Sequence, residues 1–238
     1  MRRITKIKIC GLTNLQDARM ALDAGADYLG FVLYERSPRC ITPSALRRLL
    51  DRLPAGARAI AVFVNARREL VAMLARDCRL HAVQLHGDER MADWIDMPVP
   101  VWRAARLCHG KPDPAPDQWP TARYVLDATV PGKYGGTGRT VDWNLAAKLA
   151  RCAPLMLAGG LTPNNVAEAI RIVAPLGVDT ASGVEKTPGK KDHRKVAAFI
   201  NAVAVRISSM AASIRCRRQS ARSSLRSLLR SCRAASAS

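Results

Sequence analysis

The amino-acid sequence reads as a single α/β domain folded as a (β/α)8 TIM barrel, on three observations. Eight short runs rich in Val, Ile, Leu and Ala recur along the chain before residue 208. Most are separated by one segment of helical periodicity, and strands alternating with helices form right-handed βαβ units in a parallel sheet. Eight such units in about 200 residues suit a compact closed barrel better than an open doubly wound sheet. A dinucleotide-binding start would also need GxGxxG after a strand, which "GGTGRT" does not supply.

In chain order the strands are "KIKIC", "DYLGFVL", "RAIAVFV", "AVQLH", "VPVWRAA", "YVLDA", "PLMLAG" and "GVDTAS". The first helix is expected from Asn14 to Ala24, with Thr13 as its N-cap, Gln16 completing the cap and Gly25 closing it. The second opens at "TPSALRRLLDRL", with Thr42 capping and Pro43 at the first helical position. Thr162 and Pro163 repeat the device in "TPNNVAEAIRIVA". Further helices fit Arg67 to Asp77, Asp88 to Ile95, Trp143 to Arg151 and Asp192 to Ser208. The segment "CHGKPDPAPDQWP" after the fifth strand is too rich in proline for a helix, so a loop is expected in place of helix 5.

Composition narrows the function classes. The chain has 238 residues, 48% hydrophobic and 24% charged, the usual balance of a soluble globular protein. It holds no run of the roughly 18 to 20 apolar residues that a membrane span needs, and "MRRITKIKIC" lacks the apolar centre of a signal peptide. A cytoplasmic protein with no membrane partner is expected. Its seven cysteines are odd in number and scattered, with no CxxC pair, and His81 and His86 stand five apart with no cysteine at ligand spacing. Neither a disulfide framework nor a metal site is expected.

The net charge is +19, of which seven charges are arginines between residues 210 and 238, a stretch without acidic residues. The chain therefore divides into a barrel, 1–208, and an Arg/Ser-rich tail, 209–238. That tail reads as a solvated appendage or a short basic amphipathic helix, with Leu225, Leu228 and Leu229 at helical spacing. With only 5% aromatic residues and no interleaving of aromatic and basic side chains, no specific nucleic-acid partner is expected.

Alternate residues of a barrel strand face the interior and the surrounding helices, and the helix-facing set must be apolar. Ile7 and Ile9 take that set in the first strand, which turns Lys6, Lys8 and Cys10 inward. In the fourth, Val83 and Leu85 face out and Gln84 and His86 face in. In the sixth, Leu126 faces out and Asp127 in. Polar groups from three strands thus gather at the end where barrel enzymes place their chemistry. Each alone has a plain structural reading: Cys10 as a small buried apolar residue, Asp127 as a loop anchor, His86 as a satisfied interior histidine. Gly159 and Gly160 follow the seventh strand, and Ser182 and Gly183 the eighth. Backbone N–H groups in such loops can bind a phosphate, although glycine also serves ordinary tight turns.

In order, the stretches "KICGLT", "GADYLGFVLYERSPRCI", "VFVN", "VQLHGDE", "VLDATVPGKYGGTGRTVDW", "LAGGLTPNNV" and "SGVEKTPGKKD" resemble one family, the phosphoribosylanthranilate isomerases of tryptophan biosynthesis. The likeness runs from Lys6 to Asp192 and, with the last helix, to about Ser208. It implies a phosphorylated small-molecule substrate, an Amadori rearrangement of N-(5-phosphoribosyl)anthranilate, and no cofactor. It also implies that Cys10 is the general base at C2 of the ribose and that Asp127 is the general acid at the ring oxygen. Arg39 matches the arginine that faces the anthranilate carboxylate. Gln84, His86, Gly135 and Gly136 fall in the implied substrate-binding stretches, and Gly159, Gly160, Ala181, Ser182 and Gly183 in the implied phosphate site. A monomer is expected rather than a dimer.

A thiol with a pKa of about 8.5 is mostly protonated at pH 7. Lys8, on the same face two residues earlier, is expected to favour the thiolate unless a neighbour neutralises it. Asp127 has the opposite need, and burial or a nearby negative charge is expected to keep it protonated. Three features depart from the family pattern: Ala181 stands where a serine is common, a proline-rich segment replaces helix 5, and the tail has no counterpart. The related sugar-phosphate isomerase of histidine biosynthesis uses aspartates for both transfers, and Cys10 argues against that alternative.

Overall fold

The computed structural model describes residues 5–108, 111–119, 121–127 and 141–204. Eight parallel strands form the barrel: β1 (Lys6–Ile9), β2 (Tyr28–Val32), β3 (Ala59–Phe63), β4 (Ala82–Leu85), β5 (Val101–Cys108), β7 (Arg123–Asp127), β8 (Leu155–Leu157) and β9 (Gly177–Thr180). Each pairs with the next, β4 with β5 included, and β9 returns to β1. The sheet is therefore closed, as expected from the sequence.

Around it lie α1 (Leu15–Asp23), α2 (Pro43–Leu50), α3 (Arg68–Asp77), α4 (Trp143–Cys152) and α5 (Val166–Val173), with a further helix, α6, over 193–204. The alternation deduced for the strands holds. Ile7, Ile9, Val83, Leu85 and Leu126 pack outward in one core with helix residues such as Leu46, Leu74 and Val196. Inside the barrel, a separate apolar plug is built by Tyr28, Ile60, Ala82, Trp102, Val125 and Met156, with Tyr28 and Trp102 edge-on at 5.0 Å. Each large side chain in these layers contributes about 1.5–3 kcal/mol through burial. The plug residues lie mostly near the starts of their strands, so the inward positions that follow them carry the polar groups.

Several local expectations are corrected. Asn14, not Thr13, caps α1, its side chain accepting from Asp17 N, while the Thr13 hydroxyl donates to Gly189 O at 2.6 Å. The Thr42 cap with Pro43 stands as expected. "TPNN" does not repeat it: Asn165 Oδ1 accepts from Thr162 N and its Nδ2 donates to Gly160 O, a turn that delays α5 until Val166. The helix expected over 88–95 is only a 3-10 turn, Met91–Trp94, on a segment without the apolar stripe that would bury a longer helix.

No helix lies between β5 and β7 among the described residues. Instead β6 (Lys111–Asp113) runs antiparallel to β5. Trp119 covers the gap, with the Arg103 guanidinium 4.6 Å above its ring and the Tyr124 hydroxyl donating to its carbonyl. A small hairpin, β10 (Glu185–Thr187) and β11 (Lys190–Lys191), follows β9 where the sequence suggests a loop. Among the described residues no helix is long and apolar enough to cross a membrane. The tail, 209–238, and Gly135 and Gly136 lie outside the described residues.

Candidate active site

One pocket at the C-terminal mouth of the barrel gathers the expected residues. Cys10, Arg39, Gln84, His86 and Asp127 line it, and so do Gly159, Gly160, Ala181, Ser182 and Gly183. They come from separate strands and loops, brought together by the barrel's closure alone.

Cys10 follows directly on β1, its backbone N–H donating to Thr180 O on β9 at 2.8 Å. Space for the thiol comes from Gly30: a Cβ there would lie 2.6 Å from Cys10 Sγ. Gly11, in the left-handed region at φ +71°, lets the chain turn away beneath Arg39, where a Cβ would meet Arg39 Cδ at 2.5 Å. Burial pushes the Cys10 thiol up from its ordinary range. Lys8 and Lys191 pull it down, but Asp179 adds to the rise, and the rise prevails.

Lys8 sits fully buried directly beneath this site. The register of β1 on β9 pairs it with Asp179, and its Nζ lies 2.7 Å from Asp179 Oδ2. Burial alone would depress the ammonium, yet Asp179 and Cys10 hold it above its ordinary value. Lys8 is thus charged and paired with Asp179, the exception its expected role allowed for: its pull on the thiol is real and smaller than the cost of burial.

On the far side, Asp127 ends β7 with only 8% of its surface exposed, and His86 Nε2 stands 3.7 Å from its Oδ2. Burial, with Arg106, Lys8 and Arg103 nearby, pushes His86 down to about 3, so its ring is neutral. Gln84 bridges inward, its Oε1 accepting from Lys8 Nζ at 3.1 Å and its Nε2 lying 3.3 Å from His86 Nδ1.

Arg39 makes a fork with Glu185, Nε to Oε1 at 2.9 Å and Nη2 to Oε2 at 2.6 Å. Lys191 Nζ donates to the same Oε1 at 2.9 Å and to Ala181 O at 3.0 Å. Burial would raise the Glu185 carboxyl, but Arg39 and Lys191 outweigh it and hold the group below its ordinary range. The small hairpin is what carries both residues to Arg39.

The two glycine loops touch. The Thr180 hydroxyl donates to Leu161 O at 2.7 Å, and a Cβ on Gly183 would lie 1.9 Å from that same oxygen. Gly159 and Gly160 are both left-handed, at φ +78° and +62°. Because α5 starts only at Val166, Gly159 and Gly160 face the pocket on loop backbone and not on that helix's first turn.

Sequence reasoning missed Asp179, Glu185, Lys191 and Arg106. The first pairs with Lys8 across 171 residues and the second with Arg39 across 146, separations no local pattern reveals. Only the turn chemistry of "EKTPGKK" hinted at the hairpin.

Comparison with known proteins gives a consistent answer. Residues 7–202 match the model of the N-(5'phosphoribosyl)anthranilate (PRA) isomerase family. A curated relative from Geotalea uraniireducens, named N-(5'-phosphoribosyl)anthranilate isomerase, is 45% identical over 197 residues, which are 83% of this chain and 97% of that protein. Among solved structures, monomers of the dimeric phosphoribosylanthranilate isomerase from Thermotoga maritima are 37% identical, with a TM-score of 0.71 over 84% of this chain and 98% of that one. A phosphoribosyl anthranilate isomerase in complex with reduced 1-(o-carboxyphenylamino)-1-deoxyribulose 5-phosphate is 34% identical, with a TM-score of 0.72 over the same shares. From barrel to loops, and across nearly the full length of these relatives, the chain belongs to the phosphoribosylanthranilate isomerase family.

Proposed function

We propose that the chain isomerises N-(5'-phosphoribosyl)anthranilate to 1-(2-carboxyphenylamino)-1-deoxyribulose 5-phosphate in tryptophan biosynthesis, with Asp127 as general acid and Cys10 as general base. One observation carries the proposal. In a member of this family, a thiol, a carboxyl, a guanidinium and two touching glycine loops share one pocket.

The reaction needs each of them. Asp127 gives its proton to the ring oxygen as the C1–O bond breaks, and the nitrogen lone pair forms C1=N. The Cys10 thiolate then takes the C2 proton, and the C2–H pair becomes C1=C2 while the electrons of C1=N return to nitrogen. The enol so formed tautomerises to the ketone, so substrate and product are isomers and no oxidant or cofactor enters. With Nε and one Nη2 hydrogen of Arg39 held by Glu185, the Nη1 side of the guanidinium is assigned to the anthranilate carboxylate, and Gln84 and His86 form the wall beneath the sugar.

The phosphate is assigned to the backbone N–H groups of Gly159, Gly160, Ala181, Ser182 and Gly183. Ala181 lacks a hydroxyl but keeps its N–H, so the cradle loses one donor and not its geometry. We further propose that residues 1–208 carry the whole activity, in a cytoplasmic monomer. Sedimentation velocity at micromolar concentration tests the monomer, and a dimer like that of the Thermotoga maritima relative would overturn it. The activity is tested by the loss of phosphoribosylanthranilate fluorescence on adding the protein. A decay no faster than in buffer would overturn the assignment.

A further inference from the structure

The barrel interior holds a run of contacts that leads to Asp127 and that the reaction described above leaves out of the proton transfer. Lys8 Nζ donates to Gln84 Oε1, Gln84 Nε2 meets His86 Nδ1 at 3.3 Å, and His86 Nε2 faces Asp127 Oδ2 at 3.7 Å. Each link dictates the next. An ammonium can only donate, so the Gln84 atom beside it is the carbonyl oxygen, and the amide nitrogen is what reaches the imidazole. That NH2 can also only donate, so Nδ1 is the acceptor. In a neutral imidazole the single proton then sits on Nε2, the nitrogen that faces Asp127. Burial keeps the ring neutral, and Asp179, 2.7 Å from Lys8, keeps the first donor in place.

We infer that Lys8 and Gln84 lock His86 in its Nε2–H tautomer, which makes His86 a positioning residue for the Asp127 carboxyl. The positioning role rests on the reading of Asp127 as the general acid. A neutral N–H faces one carboxyl oxygen at 3.7 Å without the full positive charge that would keep the group ionised, so the other oxygen presents its proton to the substrate. Once that proton has left, the carboxylate accepts from Nε2–H, and the 3.7 Å contact shortens to a hydrogen bond. An imidazolium would hold Asp127 ionised and spoil the acid. A bare Nε2 would draw the acid's proton to itself, away from the ring oxygen. Gln84 and His86, expected to bind substrate, thus act on it through Asp127.

Two readouts on the full-length protein test this. The nitrogen-15 shifts of His86 should show a protonated Nε2 and an unprotonated Nδ1. Gln84→Glu, nearly isosteric, replaces the donor with an acceptor and should move the proton to Nδ1. The same variant should lower kcat by about 10- to 100-fold with KM within about threefold, on the lower side of what general-acid catalysis contributes. His86→Gln, which keeps an N–H near the Nε2 position, should retain more kcat than His86→Leu. A wild-type ring protonated on Nδ1, or a kcat unchanged in Gln84→Glu, would overturn the inference. A wild-type protein with the Nε2–H tautomer but no turnover would overturn the isomerase reading, and the positioning role with it, while leaving the tautomer lock in place.

Discussion

Glu185 grips Arg39 with both oxygens, at 2.9 and 2.6 Å, and so fixes the guanidinium on the pocket wall. Removing one partner of a buried ion pair strands the other, at a cost of about 3–5 kcal/mol. Glu185→Gln should therefore lower the urea midpoint and raise KM more than it lowers kcat, because Arg39 loses its orientation. The pH dependence has a definite sign. A carboxyl held low in the folded state contributes stability above its unfolded value, 4.5, and that stability is lost as pH falls through the folded value. Acid titration of stability should thus be shallower in Glu185→Gln, and identical curves would remove Glu185 from the network.

Burial of Cys10 makes a second pH prediction. A thiol raised in the folded state leaves stability unaffected at low pH and costs stability as pH rises above the unfolded value, since only the unfolded chain then sheds the proton. Denaturation midpoints should fall above about pH 8.5, and Cys10→Ser should flatten that fall. Alkylation of the Cys10 peptide, followed by mass spectrometry, should show a midpoint above 8.5, the ordinary thiol value. A midpoint well below it would mean that Lys8 and Lys191 overcome burial.

Two glycines set the site's shape. Gly30→Ala would press its methyl to within 2.6 Å of Cys10 Sγ and 2.9 Å of its Cα, so the proposed base must move and kcat should fall at least tenfold, with about 1–3 kcal/mol lost to overpacking. Gly183→Ala would force Leu161 O away and part the two glycine loops proposed to hold the phosphate, which should appear mainly in KM. Gly56→Ala meets nothing within 4 Å and serves as the neutral control. Equal behaviour of all three would show that the pocket does not depend on these close approaches.

The family match ends at residue 202, short of the arginine-rich segment. Deleting 210–238 should leave kcat, KM and the melting temperature unchanged, and a loss of turnover would place part of the function in the tail.

The strands and the facing of their side chains were legible because both depend on short-range pattern. Period-two alternation turns Cys10, Gln84, His86 and Asp127 inward whatever lies elsewhere in the chain. The misjudged details turn on competition between neighbours. Thr13 and Asn14 are both capping residues, and tertiary contact decided between them when Gly189 O took the Thr13 hydroxyl. "TPNN" offers two caps, and Asn165 used its side chain to close a turn. A neutralising neighbour for Lys8 was allowed for but not identified, because Asp179 reaches it only through the pairing of the first and last barrel strands. Glu185 and Lys191 escaped for the same reason: they act through a hairpin whose value lies in what it brings to Arg39.

The most direct test of the account is phosphoribosylanthranilate turnover by the intact protein and by Cys10→Ala and Asp127→Asn, followed by fluorescence with folding checked by circular dichroism. The account predicts turnover in the unaltered protein and a loss of about 10²- to 10⁴-fold in each folded variant, the usual contribution of a positioned acid or base. Unchanged turnover in either folded variant would contradict the assignment of that residue.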